Sequence, residues 1–212
     1  SWDLIFKPEN AAKLKDIGLV LLDDPSEILS LALHYLGLDP NSLNKADYEE
    51  KALPLLMGIR PYIKYFHSSQ YINDIANGDI GVVVGWGGDI LQARDRAIEA
   101  KSGIEISYSI PKEGAATWFD MIAIPSDADN VDNAHKFLDF LMDPKVIAGI
   151  TNYVSYPNAN ADATQYVDEA IRNDKTIYPT EETIKGLFTM KVMPPKISRV
   201  RNRVWTKFKT GY

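Results

Sequence analysis

Two short, unbroken apolar runs constrain the fold more than anything else in the chain: Gly18–Leu22 (GLVLL) and Ile80–Val84 (IGVVV). Each has strand length, ends at turn-forming residues and leads into a segment with helical spacing of apolar residues. After the first, Asp23-Asp24-Pro25 stops the strand. Ser26 and Glu27 then open a helix carrying Ile28, Leu29, Leu31, Leu33 and Leu36, closed by Gly37. After the second, Gly85-Trp86-Gly87-Gly88-Asp89 leads into a helix from about 89 to 101. Strands alternating with helices pack as α/β layers on a largely parallel sheet. The chain has 212 residues with 45% hydrophobic composition, enough for one domain or two modest ones. It has no cysteine, which removes disulfides, thiolate nucleophiles and Cys-ligated metal sites together. No stretch approaches the roughly 20 apolar residues a membrane helix needs.

The remaining elements follow from punctuation by Pro and Gly. Pro8 starts a helix with Leu14 and Ile17 on one face, stopped by Gly18. A helix over about 46–59 should kink or break at Pro54. A short helix runs from Gln70 to Asn77, with Gly78 at its C-cap. Ile104–Ile110 alternates and reads as a strand, as does Thr117–Ile124. Helices are expected at about 130–142 and 144–153, then an irregular polar stretch at 156–163. The last part is helical in pieces broken by Pro179, Pro194 and Pro195.

Charge is uneven. Residues 189–212 hold Lys191, Lys196, Arg199, Arg201, Arg203, Lys207 and Lys209 and no acid, which leaves a net −13 on the rest of the chain. Ile197, Val200, Val204, Trp205 and Phe208 recur at spacings of three and four. The basic tail is therefore an amphipathic helix docked on an acidic body, not a nucleic-acid arm. An acidic body favours cationic partners.

Catalytic signatures are absent. His34, His67 and His135 are isolated, no GxSxG elbow occurs, and VVVGWGGD lacks the Lys of a phosphate loop. Two apolar strands instead end in an aromatic closely followed by an acid: Trp86 with Asp89, and Trp118-Phe119 with Asp120. Ligands of open α/β sheets sit beyond the carboxyl ends of strands. There, aromatic faces and a desolvated carboxylate suit an organic ammonium. The alternative is that Trp118 and Phe119 are core residues and Asp89 is a helix N-cap.

At GVVVGWGGD, FHSSQYINDIANGD, SIPKEGA-TWFDM-AIP and RVWTKFKTG the chain resembles bacterial periplasmic polyamine-binding proteins, the putrescine- and spermidine-type receptors of ABC importers. The resemblance runs the whole length of the chain and corresponds to roughly the last three-fifths of a family member. The opening SWDLIFKPEN, with no initiator Met and core-like Trp2, Leu4, Ile5 and Phe6, agrees with a start inside a longer protein. The resemblance implies an α/β fold of the type II periplasmic-binding-protein kind: one lobe with a mixed, mostly parallel sheet flanked by helices, plus an incomplete part of a second lobe. Residues 1–98 and 163–212 would form the C-terminal lobe, and 102–158 a returning segment of the N-terminal lobe. Hinge crossings would lie at 99–101 and 159–162.

Carried over by motif, Trp86 and Asp89 would supply an aromatic wall and an ammonium acceptor. Asp120 would be the main acidic anchor, Trp118 would stack on the aliphatic chain, and Tyr156 would close a wall. Glu27 would bind the other end of the amine, with Ser68 a polar contact and Met190 lining. Asp24 beside Glu27 adds a second acid and tilts the expectation from putrescine toward spermidine. No cofactor or metal is implied; the partners are the polyamine and, for the whole protein, importer membrane subunits, in the periplasm. The segment 102–158, short of strand partners, is expected to leave apolar surface open, to drive dimerisation by swapping or to rearrange, and to weaken amine binding. Two other readings stay open: an amine-acting enzyme using Asp89 or Asp120 as general base, and a truncated or engineered scaffold without ligand binding.

Overall fold

The computed structural model describes all residues from Ser1 to Tyr212. Three parallel strands, β1 (Leu19–Leu21), β2 (Ile63–Phe66) and β3 (Val82–Val84), form a sheet in the order β2-β1-β3. The central β1 is buried at every position, as an unbroken apolar run requires when both faces are covered. Two of these strands follow the apolar runs read from sequence, each trimmed at its ends. β2 was not anticipated: Ile63-Lys64-Tyr65-Phe66 is short and follows Pro61, and only its pairing with β1 makes it a strand.

Around this sheet pack α1 (Asp3–Phe6), α2 (Pro8–Leu14), α3 (Pro25–Tyr35), α4 (Leu53–Ile59), α5 (Tyr71–Asn77), α6 (Gly87–Glu99) and, from the far end of the chain, α11 (Pro195–Thr210). The expected long helix over 46–59 is in two parts: a π-helical turn, Asp47–Ala52, then α4. Pro54 has no N–H and its ring would meet the carbonyl four residues back. The widened turn, with the Leu53 N–H donating to the Tyr48 carbonyl, accommodates it. Gly78 caps α5 in the left-handed conformation, at φ +79°.

The basic tail behaves as its apolar stripe dictates. Ile197, Val200, Val204, Trp205 and Phe208 are buried, and Phe66, Trp205 and Phe208 meet edge to face at 5.2–5.5 Å between ring centroids. Its C-terminal carbonyl at Lys209 accepts from Arg60 Nε and Nη2 at 3.0 and 2.7 Å, and the Trp205 indole donates to Asp23 at 3.0 Å. The buried residues of the main core all come from 2–90 and 197–208, with Ile106, Tyr108, Ala115 and Phe188 of the middle packed against them only partly buried.

The middle of the chain departs most from expectation. Ile104–Ile110 is not a strand, and of Thr117–Ile124 only Thr117 is paired, in the two-residue β4 (Ala116–Thr117) that lies parallel to β5 (Phe188–Thr189). Alternation makes a segment able to pair, but a strand exists only where a neighbour offers backbone donors and acceptors. The helices α7 (Val131–Met142) and α8 (Pro144–Val154) form as read, although α7 buries no residue. A satellite cluster of Ala148, Ala163 and Val167 joins α8 to the 3₁₀ turn Ala161–Tyr166. Two short helices, α9 (Glu169–Asn173) and α10 (Glu181–Lys185), lead back to β5. No helix is long and apolar enough to cross a membrane.

Candidate functional site

A cavity of about 330 Å³ runs along the edge strand β3 and reaches past the carboxyl ends of β1 and β3, the end at which open α/β sheets place ligands. Leu22, Val84, Gly85 and Trp86 form the strand side, Trp2 and Ile5 of the N-terminal segment another wall, and Tyr108 and Trp118 close it from the middle of the chain. Glu27 is its one carboxylate, and no Lys, Arg or His lines it.

Glu27 sits in the first turn of α3 and is only 7% exposed. That turn is fixed by Asp24, whose Oδ1 accepts the Ser26 and Glu27 amides at 2.6 and 3.0 Å, and by Pro25 at the first helical position. Burial pushes the Glu27 carboxyl above the usual carboxylate range. The Trp86 indole, donating to Oε1 at 3.3 Å, offsets this in part. Glu27 has no cationic partner among the ion pairs of the chain. A buried carboxylate without a cation is an arrangement that an ammonium ligand completes.

Beside it runs a series of edge-to-face rings. Trp86 and Trp118 lie 6.5 Å apart at 65°, and Trp118 and Tyr156 lie 6.3 Å apart at 64°. Asp89, in the first turn of α6, accepts the Tyr71 hydroxyl at 2.7 Å, and that hydroxyl in turn accepts the Trp86 amide N–H at 3.3 Å. Tyr71 is fully buried, and burial followed by the Asp89 carboxylate pushes its phenol far up. It acts as a neutral donor holding Asp89 and the Trp86 backbone together. The same two causes, burial first, raise the Tyr156 phenol. Tyr156 lies so close over Gly88 that a Cβ there would overlap its ring, while a Cβ at Gly87 would meet Tyr108 at a tight but non-overlapping 3.2 Å.

The structure thus brings Glu27, Trp86 and Trp118 to one cavity, with Tyr156 against Trp118 and Asp89 adjoining Tyr156 through Tyr71 and α6. The core reading of the aromatics does not hold: Trp118 is 37% and Phe119 73% exposed, and Asp89 is inside α6 with Trp86 at the N-cap. Other expected site residues stand apart. Asp24 caps α3 through Oδ1 and is absent from the cavity lining. Ser68 Oγ accepts the Asp23 amide at 3.1 Å and lies outside the cavity lining, as does the exposed Asp120. Met190 lines a different cavity, beside Pro25 and Ser26. Sequence reasoning missed Tyr71 and Tyr108. The available signal was a Tyr, rather than a Leu or Phe, on the inward face of α5, since a buried hydroxyl requires a partner.

Chemically, the site offers the Glu27 carboxylate, the adjoining Asp89 and ring faces, but no paired nucleophile and base. The family profile described as bacterial extracellular solute-binding protein matches residues 1–180. The chain is 54% identical over 211 residues to the putrescine-binding periplasmic protein PotF of Escherichia coli (strain K12), covering 100% of this chain and 57% of that protein. The same identity and coverage relate it to the putrescine-binding periplasmic protein SpuD of Pseudomonas aeruginosa (strain UCBPP-PA14). In structure it is similar to the spermidine/putrescine ABC transporter substrate-binding protein PotD of Streptococcus pneumoniae, with a TM-score of 0.83 and 25% identity over 99% of this chain and 61% of that one. The chain spans about 57% of the length of these two curated relatives. With a matching profile over most of its length and a fold shared with solved members, the chain belongs to the bacterial extracellular solute-binding proteins.

Proposed function

We propose that this chain carries the larger part of a polyamine-binding cleft and serves, within the whole protein, as the periplasmic receptor of an ABC importer, binding its ligand without turnover. The observation that carries this reading is Glu27: a buried carboxylate with no cationic partner, set beside the Trp86–Trp118–Tyr156 ring series. One ammonium pairs with Glu27, the methylenes pack on the rings, and Asp89 receives the second ammonium. Asp120 and Ser68 act as rim contacts. With Asp24 capping its helix and Asp120 at the rim, Glu27 and Asp89 are the two inner carboxylates, which fits a diamine such as putrescine better than a triamine.

Isothermal titration of the chain with putrescine and spermidine, paired with product analysis, tests the reading. Saturable binding weaker than micromolar with putrescine preferred and no product supports it. Product formation, or no saturable response to any amine, overturns it. Binding at micromolar strength or tighter would overturn the expectation that this chain alone binds weakly.

The exposed Phe119, Met121, Ile122, Phe137 and Phe140 give the middle of the chain an uncovered apolar face. We propose that two copies of this chain pair through it. Sedimentation showing a monomer at all concentrations would overturn that pairing.

A further inference from the structure

On the other side of the first turn of α3 lies a second cavity of opposite chemistry. It encloses about 340 Å³ and is lined by Ser26, Lys191, Ser198, Arg201 and Asn202 together with apolar groups and no carboxylate. Arg201, on α11, is only 5% exposed, yet no acid pairs with it. Its Nη2 donates to the Ser26 carbonyl at 2.8 Å, to Ser30 Oγ at 3.2 Å and to the Pro25 carbonyl at 3.5 Å. Its Nε is the one buried side-chain nitrogen or oxygen of the molecule without a hydrogen-bond partner. The Tyr48 ring, 5.8 Å from the guanidinium carbon, offsets the charge only partly. Asp24, the nearby acid, already accepts two helix amides. Burial accordingly pulls the Arg201 pKa down.

A buried guanidinium is ordinarily matched by a carboxylate or a phosphate, because an unpaired buried charge carries a large desolvation penalty. Here the chain supplies only the charge of Asp24 at a distance and no carboxylate paired with the guanidinium. It does supply a cavity reaching Arg201, with an exposed Lys, two hydroxyls and an amide around it. This is the donor set of an anion site. We propose that the cavity between the first turn of α3 and α11 binds a small oxyanion on Arg201, with Lys191 and Asn202 at its mouth. Since Arg201 grips the Pro25 and Ser26 carbonyls, the bound anion also steadies the turn that presents Glu27 to the amine cleft.

Titration of the chain with sodium phosphate, sulfate or acetate, at ionic strength held constant with sodium chloride, tests the site. The readouts are the side-chain Nε–H resonance of Arg201 and the thermal midpoint. The expected result is a saturable shift of that resonance and a rise in midpoint that chloride does not reproduce. K191Q should weaken the response about fivefold. Tighter response to phosphate or sulfate than to acetate identifies a free tetrahedral anion as the occupant, and the reverse identifies a carboxylate. R201K assigns the resonance. Should it fail to fold, the surface variants K191Q and N202A carry the comparison alone. No saturable shift beyond chloride, or identical titrations in K191Q, N202A and the parent chain, overturns the proposal.

Discussion

The body formed by residues 2–90 with α11 and the middle segment from 104 to 190 obey different rules although one chain builds both. In the body, β1 and α3 are almost entirely buried, and α11 returns from the end of the chain to seal them. In the middle, α7 is as amphipathic as α11 yet buries nothing, and Phe137, Phe140 and Met142 stand more than half exposed. The difference teaches that an apolar stripe specifies a helix, whereas burial depends on whether the fold supplies a surface to meet it.

The sharpest way to break this contrast is a pair of matched truncations. Phe208→Ala, which empties a fully buried site against Phe66 and Trp205, should cost about 3–5 kcal/mol in urea unfolding. Phe137→Ala in α7, measured at concentrations too low for two copies to pair, should change stability by no more than about 0.5 kcal/mol. Equal losses would mean that the middle segment is packed after all.

The next test concerns Glu27, a charge embedded in the well-packed body. Glu27→Gln should reduce putrescine affinity at least about thirtyfold, the usual result of removing one partner of a buried charge pair. Because the folded chain holds the Glu27 proton to higher pH than the unfolded chain does, this group makes the amine-free protein less stable as pH rises through that window. Glu27→Gln should therefore raise the melting temperature above the window and flatten its pH dependence. Amine affinity should change in the opposite sense, falling as pH drops through the raised pKa, since the ammonium needs the ionised form. Calorimetry and melting across pH 4–8 (approximately the relevant carboxylate range) check both slopes.

A smaller effect should come from Tyr71→Phe, which keeps the ring but leaves Asp89 without its donor and the Trp86 amide without its acceptor. Putrescine affinity should fall about five- to tenfold. An unchanged affinity would show that Asp89 needs no positioning by the body.

Legibility in the sequence follows the same division. Gly18–Leu22, Ile80–Val84, the Gly78 cap and the stripe of α11 announce themselves because their signals are local and their burial is continuous. β2 did not, and Ile104–Ile110 misled, because pairing depends on residues far away in sequence. At the site, Glu27, Trp86 and Trp118 were readable from motifs. Tyr71 was not, since nothing near it reveals that its hydroxyl reaches from α5 to Asp89 on α6. Asp24 was readable only as an acid next to another acid. Its commitment to the α3 amides is visible only once the turn is built.

Gly88, lying under the Tyr156 ring, makes the third glycine of GWGGD a spacer of zero height. The ring rests directly on helical backbone, so the separation between aromatic wall and carboxylates is set by peptide atoms, which cannot change rotamer. On the proposed reading, a cleft calibrated this way selects ligands by length through its skeleton rather than its side chains. A single methyl group at position 88 is then the smallest change that recalibrates it, lifting the wall and favouring a longer or bulkier amine.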